Sequence, residues 1–114
     1  MWTQRRQGKY NATSQQYNGR TYHSKKEAAY AQELDLLLKA GEITEIIPQY
    51  KVSLDVNGRH IANYYCDFFV TYKDGSQQLI EVKGFRTEIY RLKRLLLEAT
   101  FLEENPGITF LEIT

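Results

Sequence analysis

YYCDFFVTYKDGSQQLIEVKG, residues 64–84, decides the fold of this chain. It predicts two strands, 64–72 and 78–83, joined by a tight turn over residues 73–76. Both strands are mostly aromatic, aliphatic or β-branched, but Asp67 interrupts the first, and Glu81 and Lys83 interrupt the second. Strand side chains alternate, so Glu81 and Lys83 point to the same face, roughly 7 Å apart. An ionised acid inside an apolar strand is costly unless it is paired or bound to a metal.

Length and charge narrow the class of protein. A chain of 114 residues with 42% hydrophobic residues predicts one domain with a real core. The net charge is only +1, yet residues 1–26 contain basic residues and no acid, 27–67 are mainly acidic, and 73–94 are basic again. Two basic blocks around an acidic one suit a nucleic-acid surface around a carboxylate site. An ordinary solvated surface gives the same pattern, so charge alone leaves both interpretations open.

Cysteine and histidine usage excludes other classes. Cys66 is the only cysteine, which rules out an intrachain disulfide and favours a reducing compartment. His23 and His60 lie at no spacing that makes a zinc site with it, and we expect both at the surface. The first sixteen residues lack the apolar run of a signal peptide or a membrane span. We therefore expect a cytoplasmic protein without membrane contact or a small-molecule cofactor.

The first half of the chain predicts a basic N-terminal arm over residues 1–22, followed by a single domain over 23–114. The arm has little regular structure, apart from a short extended piece near residues 20–22. SKKE, residues 24–27, fits a helix-capping box, and the helix runs to about Ala40 and stops at Gly41. Its expected buried stripe is Tyr30, Ala31, Leu34, Leu37 and Leu38. A strand over 43–56 and an Asn-Gly turn at 57–58 then predict an antiparallel partner over 59–72.

The second half predicts a helix from an N-cap at Thr87 to about Leu102, then a breaker and a strand over 108–113. The side of this helix that we expect to be buried comprises Ile89, Leu92, Leu95, Leu96, Ala99 and Leu102. A different, mostly basic face carries Arg86, Tyr90, Lys93, Arg94 and Leu97. The order is helix, three antiparallel strands, helix, strand. This is an α/β (α+β) chain with an α-β-β-β-α-β core, in which helices flank a mixed central sheet.

Glu27 admits two interpretations. It completes the capping box, and local sequence alone favours that role. It also shares the inward face of the helix with Tyr30, Ala31 and Leu34, so it can point across the core toward the strands that carry Asp67 and Glu81. The two roles do not exclude each other.

The charged residues permit a specific chemistry. Carboxylates held together repel one another unless a cation lies between them. Oxygen ligands without nearby His or Cys favour Mg²⁺, with Mn²⁺ as a substitute. Such an ion promotes phosphodiester hydrolysis, and a lysine on the same face can orient water or neutralise developing charge. Glu-x-Lys alone is a weak signal, but Asp67 fourteen positions before Glu81-x-Lys83, across a hairpin, is stronger. The alternative, charged residues on a solvated hairpin, conflicts with their apolar neighbours.

These residues resemble the PD-(D/E)xK nuclease superfamily, whose core has the same α-β-β-β-α-β order. The segments GKYNA, YNGRTYHSKKEAAYAQELDLLLKAGEI and YYCDFFV…EVKGFRTEIYRLKRLLL are also similar to a family of small phage and prophage proteins. That family is related to Holliday-junction resolvases and phage endonucleases, and the resemblance covers nearly the whole chain. One departure is Cys66, which stands where the motif has a proline before the aspartate.

The resemblance implies roles for individual residues. Asp67 and Glu81 would bind the metal, as would the backbone carbonyl of Val82. Lys83 would be the catalytic lysine, and Glu27 would complete the site. Two residues would lie beside it, Gln49 and Tyr90. The expected phosphate contacts are Arg5, Arg6, Lys9, Arg20, Lys25, Lys26, Arg86, Arg91, Lys93 and Arg94.

The implied activity is that of a Mg²⁺-dependent, structure-specific endodeoxyribonuclease acting on branched DNA. Symmetric cutting of a four-way junction needs two sites related by a two-fold axis, so we expect a homodimer. Other DNA substrates remain open, namely nicked, linear and single-stranded DNA. A non-catalytic DNA-binding module on the same fold is a further alternative.

Overall fold

A computed structural model of the chain describes residues 15–17, 20–22, 24–82 and 87–114, with side chains from residue 24 onward. The elements are β1 (Gln15–Tyr17), β2 (Arg20–Tyr22), α1 (Lys25–Lys39), β3 (Ile43–Val56), β4 (Arg59–Tyr72), β5 (Gln77–Val82), α2 (Glu88–Ala99), α3 (Phe101–Glu104) and β6 (Ile108–Ile113). The predicted α+β order is confirmed, and β1 pairs with β2 in a small antiparallel hairpin. No helix within these residues is long and apolar enough to cross a membrane.

The central sheet has the order β3-β4-β5-β6. Its first three strands are antiparallel neighbours, and β6 runs parallel to β5, so the sheet is mixed as predicted. Local sterics fix the two turns. Asn57 and Gly58 both have positive φ, 51° and 78°, which a two-residue primed turn requires. Gly75 has φ 92° in the second turn, where the Asp74 side chain accepts hydrogen bonds from the backbone N–H and the hydroxyl of Ser76.

The two long helices lie against separate hydrophobic clusters. The cluster under α1 contains Ala28, Ala31, Leu34, Ile43, Phe68, Val70, Ile80 and Val82. The cluster under α2 contains Val52, Leu54, Tyr64, Cys66, Phe69, Leu79, Tyr90 and Leu97. Ile80 and Val82 therefore face α1, whereas Leu79 faces α2. Alternation along β5 then directs Glu81 to the α2 side.

The sequence-based prediction of the buried side of α2 was wrong in part, although Leu96 and Leu102 pack against the cluster under α2 as expected. Tyr90 and Leu97 lie in the core, whereas Ile89, Leu92 and Leu95 are 67%, 60% and 62% exposed. The face expected to be basic and exposed thus packs on the sheet, and much of the apolar face points outward. The physical reason lies in the side chains of the inner face. Long basic side chains can cover apolar surface with their aliphatic stems. The charged ends of Lys93 and Arg94 then bind Asn63 on β4 and Glu112 on β6.

Two smaller predictions also need correction. Leu37 and Leu38, expected in the buried stripe of α1, are 40% and 38% exposed, because the core under this helix ends at Leu34. The second helix does not continue to Leu102. It ends at Ala99, and Thr100 adopts a non-helical conformation in which its hydroxyl donates a hydrogen bond to Leu96 O. The separate short helix α3 follows.

Candidate functional site

The alternation of side chains between the two faces of the sheet is inverted within β3, beside the candidate site. Ile47 and Tyr50 both pack into the cluster under α2, although they are three positions apart. Regular strand alternation places residues on one face only at even spacings. Gln49 lies between them with φ 52°, and this left-handed residue inverts the alternation. Gln49, predicted from the resemblance to be site-adjacent, thus marks a backbone irregularity in the middle of a long strand.

The neighbouring strand β4 shows the same inversion at Asp67. Cys66 and Phe69, again three apart, both face α2. Backbone pairing with β3 continues on either side of this position, at Tyr50–Cys66 and Pro48–Phe68. The register therefore sets Gln49 opposite Asp67, and both strands invert at the same level of the sheet.

At this level β4 also separates from β5. Backbone pairing between them runs only from Thr71–Gln77 to Phe68–Ile80, and Asp67 and Glu81 are the next positions in that register. Beyond the Phe68–Ile80 pair, hydrogen bonds from side chains connect the two strands. Asp67 Oδ2 accepts a hydrogen bond from the backbone N–H of Val82 at 2.8 Å, and the Cys66 thiol donates to Ile80 O at 3.1 Å. A carboxylate thus holds the two strands together where they fork.

Glu81 lies just beyond the fork and is only 4% exposed. The phenol of Tyr64 donates to its Oε1 at 2.6 Å, and the Tyr64 ring lies 6.4 Å from that of Tyr90. Asp67 is 8% exposed, so two acidic side chains are buried at the same end of adjacent strands. The prediction that Asp67 and Glu81 are buried, and not solvated hairpin charges, is confirmed.

The groups around Glu81 stay protonated at neutral pH. Burial, followed by the Glu81 charge, raises the pKa values of the Tyr64 and Tyr90 phenols and of the Cys66 thiol. The charge of Asp67 also raises the pKa of Cys66, because the thiol lies near both carboxylates. These three side chains therefore add no negative charge beside the two acids, and Tyr64 remains a hydrogen-bond donor.

The inner face of α2 is tied to the sheet by its two basic residues. Arg94 forms ion pairs with Glu98 and with Glu112, which is the register neighbour of Glu81 on β6. Its guanidinium also lies 4.4 Å from the centre of the Phe110 ring. Lys93 donates to Asn63 O on β4 at 2.9 Å. Both residues were predicted to contact phosphate, and such contacts would compete with these intramolecular interactions.

Glu27 occupies the first turn of α1, and it is 3% exposed. The predicted cap is confirmed in part, because Ser24 Oγ accepts a hydrogen bond from Glu27 N at 3.1 Å. Its helix packs on the face of β5 opposite to that on which Tyr64 meets Glu81. Within residues 24–82 and 87–114, no three His, Cys, Asp or Glu side chains form a group that could hold a metal ion. The structure thus places Asp67 and Glu81 at the same end of adjacent strands, and the role of Glu27 in the site stays a prediction.

The remaining predicted residues fall into two groups. Lys25, Lys26 and Arg91 are exposed, as surface contacts to phosphate require. Other predicted residues lie outside the described residues, namely Lys83, Arg86, Arg5, Arg6 and Lys9, as does the side chain of Arg20 in β2.

The donor set at the fork suits a hard cation. Mg²⁺ binds through one or two carboxylates and keeps several waters, and two carboxylates with the Val82 carbonyl supply only oxygen ligands. Burial of two acids on adjacent strands is also the electrostatic setting in which a cation is favoured. The residues present therefore fit Mg²⁺ or Mn²⁺ in their chemistry.

Sequence reasoning missed three features of this site. It placed Tyr64 only in a strand, regarded Cys66 as a replaced proline, and did not pair Arg94 with Glu112. The spacing of Tyr64 from Asp67, three residues, argues against a shared face unless the strand is irregular. The polar residue Gln49 directly after Pro48 was the available signal of that irregularity.

Comparison with known proteins gives a family but no activity. No curated protein matches the chain. A family model described as "Protein of unknown function (DUF1064)" matches residues 7–109, which is most of the chain and includes the whole fork between β4 and β5. The chain therefore belongs to the DUF1064 family.

Proposed function

We propose that this protein is a Mg²⁺-dependent, structure-specific endodeoxyribonuclease that resembles Holliday-junction resolvases of the PD-(D/E)xK superfamily and cuts branched DNA. One observation carries the proposal, namely the burial of Asp67 and Glu81 at the point where β4 and β5 separate. Burial of an ionised acid lowers the stability of the fold unless the charge is compensated. Acids that stay buried in spite of this cost therefore indicate a functional role. Two acids beside each other favour the binding of a divalent cation, and such cations bind phosphates.

The residues of the fork take distinct roles in this proposal. Asp67, Glu81 and the Val82 carbonyl hold Mg²⁺. When bound, the ion polarises a phosphoryl oxygen and makes water a better nucleophile. Tyr64 fixes the rotamer of Glu81 through its hydrogen bond. Lys83, next in the chain after Val82, orients the attacking water and offsets the charge that develops at phosphorus.

The reaction is a hydrolysis without a covalent enzyme intermediate. The water oxygen forms a bond to phosphorus as one phosphorus–oxygen ester bond breaks, which yields a phosphate monoester and an alcohol. Glu27 remains a proposed contributor from α1. Tyr90 and Gln49 border the carboxylates without a chemical step of their own.

DNA recognition in this proposal relies on phosphate contacts and shape. Lys25 and Lys26 are exposed at the N-terminus of α1, where backbone N–H groups also favour anions. Arg91 is exposed on α2. The remaining basic residues named above extend this surface along the arm and through Arg86. Symmetric incision of a junction requires two copies of the site, so the active form is a homodimer.

A specific observation favours a second candidate, a non-catalytic DNA-binding module on the same fold. Asp67 and Glu81 each already accept a hydrogen bond within the chain, from Val82 N and from the Tyr64 phenol. In that case the two acids serve to join the strands at the fork, and divalent cations are not needed for DNA binding.

The first test incubates labelled four-way junction, nicked duplex, linear duplex and single strand with the protein, in Mg²⁺ and in EDTA. We expect cleavage of the junction in Mg²⁺ alone. Asp67→Asn, Glu81→Gln and Lys83→Ala should each lower the rate by about 100-fold or more, since each removes a ligand or a charge at the reacting phosphate. Glu33→Gln, an exposed acid on α1, is the matched control and should keep wild-type activity.

The other outcomes separate the candidates. Junction binding that is equal in Mg²⁺ and EDTA, with no cleavage of any substrate, favours the binding module. Cleavage restricted to nicked, linear or single-stranded DNA keeps the nuclease and removes the resolvase. Full activity in both Asp67→Asn and Glu81→Gln would show that the fork is not the active site.

A further inference from the structure

The outward side of α2 carries an apolar surface that the fold of the chain does not use. Ile89, Leu92 and Leu95 recur every three residues and are 67%, 60% and 62% exposed. We call these three side chains the outer face of α2. The opposite side of the same helix is buried through Tyr90 and Leu97. The helix thus has two apolar sides, of which the sheet covers one.

Exposed apolar side chains in a contiguous row mark interaction surfaces in soluble proteins. DNA phosphates do not suit the outer face, because they favour cations over aliphatic groups. The N-terminal segment MWTQRRQGKYNATS has Met1, Trp2, Tyr10 and Ala12 as its apolar residues and no Val, Ile or Leu. That composition cannot match a row of aliphatic side chains along two helical turns. A second copy of α2 supplies the same row in the same spacing.

We propose that the outer face of α2 is a homodimer interface, in which two α2 helices pack antiparallel about a two-fold axis. The proposal adds a location to the homodimer that forms part of the proposed function, and its test measures association and not cleavage. An axis near the midpoint of Leu92 and Leu95 sets each Leu92 against Leu95 of the partner subunit. Such isologous pairing is the usual form of homodimers.

Charges beside the outer face complement each other in this arrangement. Arg91 and Glu98 are both exposed and lie on the same flank of the helix, seven residues apart, and Glu98 also pairs with Arg94 of its own chain. The antiparallel two-fold arrangement brings Arg91 close to Glu98 of the partner subunit, and symmetry repeats the contact. A parallel two-fold arrangement would instead place the two copies of this flank on opposite sides of the helix pair, so it would bring neither Arg91 nor Glu98 against the flank of the partner.

The arrangement does not involve the residues of the fork between β4 and β5. Tyr90 and Glu81 lie on the inner side of α2, away from the outer face. Two sites would therefore flank the paired helices, separated by two helix thicknesses, on the order of 20–25 Å.

The first experiment measures the solution mass of the full chain by sedimentation at micromolar concentrations. We expect twice the chain mass of 13.4 kDa for the wild type and the chain mass for Leu92→Glu/Leu95→Glu. Leu36→Glu is the matched control, because Leu36 is 65% exposed on α1, and it should remain dimeric. A monomeric wild type, or a dimeric double variant, would overturn the proposal. A monomer whose double variant unfolds at lower urea would instead show that the chain itself covers the outer face.

A second experiment tests the antiparallel pairing with two charge reversals. Arg91→Glu alone and Glu98→Arg alone place like charges together and should each raise the dimer Kd by about five-fold or more. An equimolar mixture of the two variants restores both contacts in the heterodimer, so association should return to near the wild-type value. Failure of the mixture to associate better than either variant would contradict the antiparallel arrangement. Metal binding at Asp67 and Glu81 should be equal in all of these variants.

Discussion

Tyr64 controls the environment of Glu81 at the scale of single residues. Its phenol is buried, donates to the carboxylate at 2.6 Å and stays protonated because burial and the neighbouring charge raise its pKa. A buried carboxylate with one fixed donor keeps one rotamer, which a metal ligand requires. Asp67 and Glu81 each accept a hydrogen bond from within the chain.

The Tyr64 phenol predicts a specific response to alkaline pH. Its folded-state pKa lies above the unfolded value of about 10, so its contribution to stability is complete below pH ~10 and is lost as pH rises further. Tyr64→Phe should lose about 1–3 kcal/mol of unfolding free energy at neutral pH, because the Glu81 carboxylate loses a buried donor. Its unfolding free energy should then fall less steeply above pH ~10 than that of the wild type.

Urea unfolding across a pH series measures both effects, and Tyr65→Phe, at a 52% exposed position, is the control. Parallel pH profiles for the wild type and Tyr64→Phe would contradict the assignment. Sequence predicted the burial of Asp67 and Glu81 from their apolar neighbours. The sequence did not predict the contact of Tyr64 with Glu81. The face on which Tyr64 lies would be inferred from strand alternation, and that alternation is inverted at Asp67.

At the scale of secondary-structure elements, α2 shows that hydrophobic periodicity can predict a helix without predicting which of its sides packs on the sheet. Hydrophobic periodicity predicted the helix and its first residue correctly, since the Thr87 side chain caps it as expected. The same pattern predicted the buried side only in part, since Leu96 packs against the core whereas Ile89, Leu92 and Leu95 are exposed. Periodicity reports only that a face avoids water, and a partner subunit satisfies that requirement as well as the sheet does. Turns were more predictable, because positive φ at Asn57 and Gly58 follows from local sterics alone.

A pair of substitutions tests which side of α2 supports the fold. Leu97→Ala should lower the unfolding free energy by about 2–5 kcal/mol, because Leu97 is fully buried and its truncation leaves a cavity. Leu92→Ala, at a 60% exposed position, should cost about 0.5 kcal/mol or less in a chain dilute enough to be monomeric. Urea denaturation of the dilute proteins measures both values. Equal losses would mean that α2 packs in another rotation.

Three acidic side chains are buried within the described part of the molecule, namely Glu27, Asp67 and Glu81. Asp67 and Glu81 lie at the same end of adjacent strands, whereas most other described acids are exposed or lie in ion pairs at the surface. Such burial favours function over stability. The α-β-β-β-α-β order was predictable because strand and helix signals are local and mutually consistent. The fork was not predictable from the sequence. It depends on irregularities at Gln49 in β3 and at Asp67 in β4, which are aligned only when the two strands pair.

Neutralising one of these acids therefore tests their purpose. In EDTA, Glu81→Gln should raise the unfolding free energy by about 1 kcal/mol, because the amide oxygen still accepts from Tyr64 while a buried charge is removed. Mg²⁺ should stabilise the wild type and leave the variant unchanged. Thermal unfolding with and without Mg²⁺ measures both effects, with Glu33→Gln as control. A variant less stable than the wild type in EDTA would assign Glu81 a structural role.

The hydrogen bond from Val82 N to Asp67 Oδ2 has a consequence for spectroscopy. Most backbone amides in a sheet report on a carbonyl partner, which neither ionises nor binds cations. The amide of Val82 instead reports on a carboxylate. Its proton chemical shift and its exchange with deuterated solvent should follow the ionisation of Asp67 and the arrival of a divalent cation. One backbone signal thus serves as a built-in probe of the fork, without any label or substrate.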